Sequence, residues 1–353
     1  MVVADDLLAY KSAIDSSVDE YLKNENSLLN AYHKDIADMV WVVDDFATRG
    51  GKRLRAIFVI AGYLLNKKSI TKDVIKVASI MEHFQNWMLI HDDIIDNSIQ
   101  RRKGDTLHVA LKKKYSDISE KIPQFPVNLS IVLGDVIESY ILDILTNTKF
   151  MDKKKLMILS EYNRMLRYTG YGQLLDVLLS AEGIEEATEE KILKMMEYKT
   201  AYYTVAIPLK MGGILSELSE PKLKALENFG INLGIAFQIL DDLFGAGYNV
   251  NESTDKIGND IPEGKKTVPV LKAYNLASDE EKKFLSDSYR LPARDDECSK
   301  KIKSIMDEYN AAEETEKLYN EYRNKAVAYL DIFNKNEKEI LNEVVSIVLN
   351  RNY

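Results

Sequence analysis

Apolar residues recur at three- and four-residue spacing through five long stretches, 70–97, 125–145, 153–180, 189–212 and 223–243. That period predicts amphipathic α-helices, each long enough to cross a domain. Chain-breaking residues fall between or beside these stretches, at Gly50-Gly51, Lys103-Gly104, Ile122-Pro123, Glu182-Gly183, Glu220-Pro221 and across 245–266, and read as loops, not domain linkers. No fixed-period repeat and no low-complexity segment interrupts the pattern. Beyond about residue 275 the chain is rich in Glu, Lys and Asp, which predicts amphipathic peripheral helices with solvated charged faces. The expectation is an all-α protein with one domain over 1–353, its motif-bearing core at about 40–275 and its peripheral helices at about 276–353.

Composition supports this picture. With 46% apolar and 29% charged residues the chain can bury a large core, and only 16 Gly and 7 Pro favour long helices. A formal charge of −9 argues against nucleic acid or an anionic membrane surface as partner and leaves small molecules. Cys298 is the single cysteine, so no internal disulfide is possible. The opening residues lack a basic run followed by an apolar stretch, and no window approaches 18 apolar residues. Neither a signal peptide nor a membrane span is expected, and a reducing cytoplasm fits.

The chemistry lies at two acidic helix ends. In His91-Asp92-Asp93-Ile94-Ile95-Asp96, residues four apart share a helix face, so Asp92 and Asp96 project together. Their mutual repulsion, and the negative end of the helix dipole, call for a cation. Oxygen donors without nearby His or Cys ligands select a hard ion, and Mg²⁺ takes one or two carboxylates plus waters and substrate phosphates. One such cluster alone is commonly a solvated helix end. A second, Asp241-Asp242 after Phe237-Gln238-Ile239-Leu240, repeats the arrangement downstream.

Basic residues supply the complement: Gly50-Gly51-Lys52-Arg53-Leu54-Arg55, Arg101-Arg102-Lys103, Lys199-Thr200, Lys256-Ile257-Gly258 and Gly264-Lys265-Lys266-Thr267. Arginine forks and lysine point charges bind phosphate oxygens. Acidic and basic clusters together imply a metal–diphosphate ligand.

At these residues the sequence resembles the trans-isoprenyl diphosphate synthases, which include farnesyl and geranylgeranyl diphosphate synthases. The likeness runs in order through GGKRLR (50–55), HDDIIDNSIQRRKGDTLH (91–108), LGD (133–135), GQLLD (172–176), YKT (198–200), FQILDD (237–242) and KIGNDIPEGKKT (256–267). It implies a helical bundle around a deep central cavity with both aspartate motifs at its mouth, and a homodimer. It implies that Asp92, Asp96 and Asp241 ligate two or three Mg²⁺ ions, with Mn²⁺ a substitute, and that Asp93 and Asp242 support them. By the same likeness Arg101, Lys199, Lys256 and Lys265 hold an allylic diphosphate. Gly51, Lys52, Arg55, Gln85 and Arg102 hold isopentenyl diphosphate, and Thr200 and Gln238 flank the developing carbocation. The second motif departs from the family's DDxxD, because Gly245 stands where the last aspartate is usual; Asp260 is near enough in sequence to supply an oxygen.

Phe84 and Met88 lie two turns and one turn before Asp92, with Trp87 beside Met88. A bulky ring there would floor the cavity, and the resemblance implies a C20 product, geranylgeranyl diphosphate, with C15 farnesyl diphosphate as the alternative. Taken alone, Phe84 and Trp87 read as core, and His83, His91 and His108 read as hydrogen-bonded or surface histidines. A terpene cyclase would lack GGKRLR, a squalene-type synthase would carry DxxED-like motifs, a di-iron bundle would need Glu-x-x-His pairs, and a noncatalytic partner subunit would lose the first aspartate motif.

Overall fold

The computed structural model describes residues 7–248 and 258–349. Helices carry nearly all the regular structure, as the periodicity predicts. They are α1 (Lys11–Tyr32), α2 (Lys34–Thr48), α3 (Leu54–Leu64), α4 (Lys72–Ile95), α5 (Leu107–Lys114), α6 (Ser116–Lys121), α7 (Phe125–Thr146), α8 (Asp152–Ala181), α9 (Glu189–Met196), α10 (Ile207–Ser216), α11 (Glu220–Gly245), α12 (Asp260–Glu263), α13 (Val268–Leu276), α14 (Asp279–Tyr289), α15 (Asp296–Glu308), α16 (Ala311–Ala328) and α17 (Lys335–Leu349). The expected continuous helix over 189–212 is instead three pieces, because Glu197–Ala206, between α9 and α10, winds as a π-helix. The loop expected at Lys103-Gly104 is a hairpin of β1 (Gln100–Arg101) and β2 (Gly104–Asp105), antiparallel with Arg101 opposite Gly104. Its two turn residues, Arg102 and Lys103, both have positive φ (53° and 60°), the pattern of a type I′ turn.

The chain forms two compact units, residues 1–159 with 211–217 and residues 160–210 with 218–353. The first is built around α4, against which α1, α3 and α7 pack. Every residue from Val77 to Asn86 is buried, so this part of α4 is surrounded on all sides. Thr71 caps its start by accepting from the Val74 amide at 3.4 Å. At its other end Asn97 takes a left-handed φ of 52°, while the Asn97 and Ser98 amides donate to the Ile94 and Asp93 carbonyls at 3.3 and 2.9 Å. That double closure is a Schellman stop, and it leaves Asp92 and Asp96 on the final turn.

In the second unit α11 packs against α16 and the π-helical segment. Pro221 sits in its first turn, where the missing amide costs nothing. Its end repeats the stop on α4: Gly247 is left-handed at 80°, and the Gly247 and Tyr248 amides donate to Phe244 and Leu243, each at 2.9 Å. In the tail, α16 buries Ala311, Thr315, Leu318 and Ala326, and α15 buries Ile302, Ile305 and Met306 in a cluster with Val270 and Ala273 of α13 and Leu285 and Tyr289 of α14. No helix among the described residues is long and apolar enough to cross a membrane.

Candidate active site

In the first unit the basic loop between α2 and α3 and the hairpin after α4 come together. Arg102 donates to the Arg49 carbonyl at 3.0 Å, which fastens the hairpin to the start of the GGKRLR loop. Burial, and then the nearby positive charges of Arg53, Arg55 and Arg101, push the Arg102 guanidinium down to about 10, with Glu82 opposing. Like charges held this close signal a site that gains from an anion. Lys52 is exposed, Arg55 is half-buried in the first turn of α3, and Gln85 is buried with its Oε1 meeting no hydrogen-bond partner among the described residues. The structure therefore brings the loop residues Gly51, Lys52 and Arg55 and the hairpin residue Arg102 into one basic neighbourhood.

The acidic end of α4 adjoins it. Asp92 is half-buried and Asp96 exposed, whereas Asp93 between them is fully buried. Arg101 reaches back to Asp93, with Nε donating to Oδ1 at 2.9 Å and a terminal nitrogen donating to the same oxygen. Burial raises the Asp93 pKa and Arg101 opposes it. Burial alone would lower that of Arg101, but Asp93, Asp92 and Asp96 outweigh it and drive it up. One Asp93 oxygen is thus taken by Arg101, while its buried Oδ2 meets no hydrogen-bond partner among the described residues, and Asp92 and Asp96 are the carboxylates nearer solvent.

The second unit repeats the logic with different parts. Asp242 is buried at 6% exposure, accepts from the Val268 amide at 3.0 Å, and receives Gln238 Nε2 at 3.4 Å. Thr200 Oγ1 donates to Gln238 Oε1 at 3.2 Å, so Thr200, Gln238 and Asp242 form one chain of hydrogen bonds. Burial, with Asp260 and Asp241 close by, raises the Asp242 pKa well above the usual carboxylate range. Lys199 lies on the π-helical segment and pairs with Asp176 at 2.5 Å. Gly172 lets the π-helical backbone come close to α8, since a Cβ there would fall 2.1 Å from the Lys199 backbone nitrogen. Lys265 pairs with Asp260 at 3.1 Å and Glu263 at 2.7 Å. Lys256 lies outside the described residues.

The departure at Gly245 has a physical reason. A Cβ on Gly245 would meet Asp260 Oδ2 at 1.8 Å, so the Asp260 carboxylate occupies the space that a side chain at 245 would fill. Burial raises the Asp260 pKa, Lys265 opposes, and Asp241 raises it further. Asp241 and Asp260 are therefore neighbours, and the second acidic end draws its carboxylates from two segments. Among the described residues no three His, Cys, Asp or Glu side chains are gathered to hold a metal by themselves. The oxygen-only donors at both helix ends still fit Mg²⁺, which keeps waters and substrate phosphates among its ligands.

Along α4 the Phe84 and Trp87 rings lie 5.5 Å apart, and Trp87 is 5.4 Å from the His91 ring. Phe84 is fully buried, and Trp87 and Met88 are half-buried. The reading of His83 as a hydrogen-bonded or surface histidine is corrected. It is fully buried between Tyr21 and Tyr140, neither ring nitrogen meets a partner among the described residues, and burial pushes its pKa down to about 4. Sequence reasoning also gave no role to Asp176, although it closes the GQLLD motif, or to Arg53 and its partners Asp15 and Glu82. A glutamate inside the apolar run of α4 was the available signal.

Residues 39–309 match the family model described as polyprenyl synthetase. The geranylgeranyl diphosphate synthase of Saccharolobus solfataricus is 30% identical over 284 residues, 80% of this chain and 78% of that protein. The short chain isoprenyl diphosphate synthase of Methanocaldococcus jannaschii is 27% identical over 86% of each chain. Among solved structures, geranylgeranyl pyrophosphate synthase from Corynebacterium glutamicum, complexed with isoprenyl diphosphate and magnesium, superposes with a TM-score of 0.87 at 26% identity, covering 98% of this chain and 99% of that one. The likeness thus runs along most of the length of each of these relatives, and the chain belongs to the polyprenyl synthetase family of prenyltransferases.

Proposed function

We propose that the protein condenses isopentenyl diphosphate head-to-tail with allylic diphosphates to give a short all-trans prenyl diphosphate, with the C20 compound as its product. The observation that carries this reading is the adjacency, within one unit, of a mutually repelling arginine cluster and an acidic helix end joined through Arg101 and Asp93. Such a place suits a diphosphate together with divalent cations. The family match and the names of the similar geranylgeranyl diphosphate synthases support the substrate class and the chain length.

On this reading Asp92, Asp96 and Asp241 hold two or three Mg²⁺ ions, which Mn²⁺ can replace, and Asp93 and Asp242 fix the helix ends. When bound, the cations supply electrostatic stabilisation to the departing diphosphate. Arg101, Lys199, Lys256 and Lys265 bind the allylic diphosphate oxygens and take up the negative charge that grows as the allylic C–O bond breaks. Lys52, Arg55, Arg102 and Gln85, with Gly51 allowing close approach, hold the diphosphate of isopentenyl diphosphate so that its double bond faces the cation. The Thr200–Gln238 pair presents oxygen lone pairs to that cation. The π electrons form the new C–C bond, and a proton leaves to the released diphosphate, which restores a double bond.

Exposed apolar side chains support self-association as a homodimer: Ile131, Val132 and Leu142 on α7, and Leu174, Val177 and Leu178 on α8. The single cysteine favours a reducing, cytoplasmic setting. The test is incubation with labelled isopentenyl diphosphate, Mg²⁺ and C5, C10 or C15 starters, with a chelated control. Dephosphorylated products should size to C20 and vanish with chelator. A well-folded protein that makes no product from any starter would overturn the proposal.

A further inference from the structure

Within the GGKRLR loop the central arginine behaves unlike its neighbours. Lys52 is exposed and Arg55 half-buried, but Arg53 is only 4% exposed and its backbone is left-handed, at φ 54°. A side chain with a Cβ is disfavoured there, and an unpartnered buried guanidinium would cost more. Both costs are tolerated only where the surroundings over-determine the geometry. They do so here. Arg53 Nε reaches Asp15 Oδ1 on α1 at 2.6 Å, one terminal nitrogen reaches Glu82 Oε2 on α4 at 3.0 Å, and the other reaches the Ala47 carbonyl near the end of α2 at 3.4 Å. Glu82 is itself 3% exposed, so the Arg53–Glu82 pair lies in the interior, and Asp15 closes it toward the surface.

One side chain thus ties three helices together at the point where α3 begins. Arg53 caps α3 in a left-handed conformation with its side chain buried, while the neighbouring Lys52 is exposed. The same positive charge presses on Arg102, which the hairpin holds against Arg49.

We infer that Arg53 is a positioning residue: through Asp15 and Glu82 it sets the loop so that Lys52 and Arg55 meet the diphosphate of isopentenyl diphosphate, without touching that diphosphate itself. The inference rests on the substrate class proposed above. Nothing in the motif distinguishes this arginine from the diphosphate-binding residues on either side; only its burial, backbone and partners do.

Arg53→Gln, Arg53→Lys and Asp15→Asn separate this role from general support of the fold. With the allylic starter saturating, Arg53→Gln should raise KM for isopentenyl diphosphate roughly tenfold or more, because the loop loses its anchor. KM for the allylic starter should stay within about twofold. Arg53→Lys keeps the charge but not the fork and should recover part of the loss. Asp15→Asn removes the half-buried partner and spares the interior pair, so it stays testable if Arg53→Gln does not fold; it should raise the same KM severalfold. Equal changes in both KM values, or none in a folded Asp15→Asn, would overturn the inference. The substrate reading fails separately, if the wild type makes no product. In that case calorimetry with inorganic pyrophosphate still decides the positioning role: Asp15→Asn should bind it severalfold more weakly than wild type, and equal binding would refute it.

Discussion

The acidic ends of α4 and α11 reach the same result by different routes. Both helices stop in a Schellman closure, with Asn97 in one case and Gly247 in the other supplying the left-handed residue. In both, the second aspartate of the pair turns inward and accepts hydrogen bonds from the protein, through one oxygen at Asp93 and through both at Asp242. On α4 the tie is the charged Arg101, whereas on α11 it is the Val268 amide and the Gln238 amide group. The first end carries its partner carboxylate four residues on, in the same helix. The second has Gly245 there, with the Asp260 carboxylate in the vacated space. A local motif can therefore be replaced by a non-local one with the same donor chemistry.

The sharpest way to break this comparison is to rebuild the local motif on α11. Gly245→Asp alone places a side chain where Asp260 already lies, 1.8 Å from its Oδ2 at the Cβ. It should lower kcat/KM by roughly a hundredfold, about 3 kcal/mol. The paired change Gly245→Asp with Asp260→Gly should return most of that loss, a coupling that steady-state kinetics on the single and double variants measures. Strict additivity would mean that the two carboxylates do not share one place.

Next in size is an effect midway along α4 for which α11 has no counterpart. His83 is held neutral, with its pKa at about 4 against 6.5 in the unfolded chain. The unfolded state therefore binds the extra proton first as pH falls. The contribution is whole above 6.5 and is lost between 6.5 and 4, by up to roughly 3 kcal/mol. Urea titrations across that window should show the loss in wild type and a flatter profile in His83→Leu. Parallel profiles would remove His83 as the cause.

The two inward aspartates should then differ when neutralised. Asp93→Asn deprives Arg101 of its charged acceptor and should cost about 2 kcal/mol in thermal unfolding. Asp242→Asn can still accept from Val268 while removing a buried carboxylate whose ionisation burial opposes, so it should be close to neutral or stabilising at pH 7. Equal losses at the two positions would erase the distinction between a charged tie and a backbone tie. The smallest effect in energy is in product identity. Trp87→Ala should leave the rate within a few fold and shift the products toward longer chains on chromatography, and an unchanged distribution would return Trp87 to the ordinary core.

How legible each part was follows from its spacing. Helices with an apolar stripe, such as α11, announce themselves through period, and the Asp92–Asp96 pair needs only the helical repeat. The π-helical winding of 197–206 does not show in the apolar spacing, and neither does the close approach of Gly172 to the Lys199 backbone. The hairpin at 100–105 is hidden since its turn uses Arg102 and Lys103, which lack the usual Asn-Gly signature. Arg53 reads as one more basic residue until its burial and backbone angle are known, and His83 gives no hint of its isolation until Tyr21 and Tyr140 are seen around it.

The central claim is that a diphosphate is held here through divalent cations on aspartates, and Asp92 tests it most directly. Calorimetric binding of an unreactive allylic diphosphate analogue should be strong for wild type with Mg²⁺ and weak after chelation, while Asp92→Ala should bind weakly under both conditions. Binding that is equally tight with and without the metal, or undiminished in Asp92→Ala, would contradict the account.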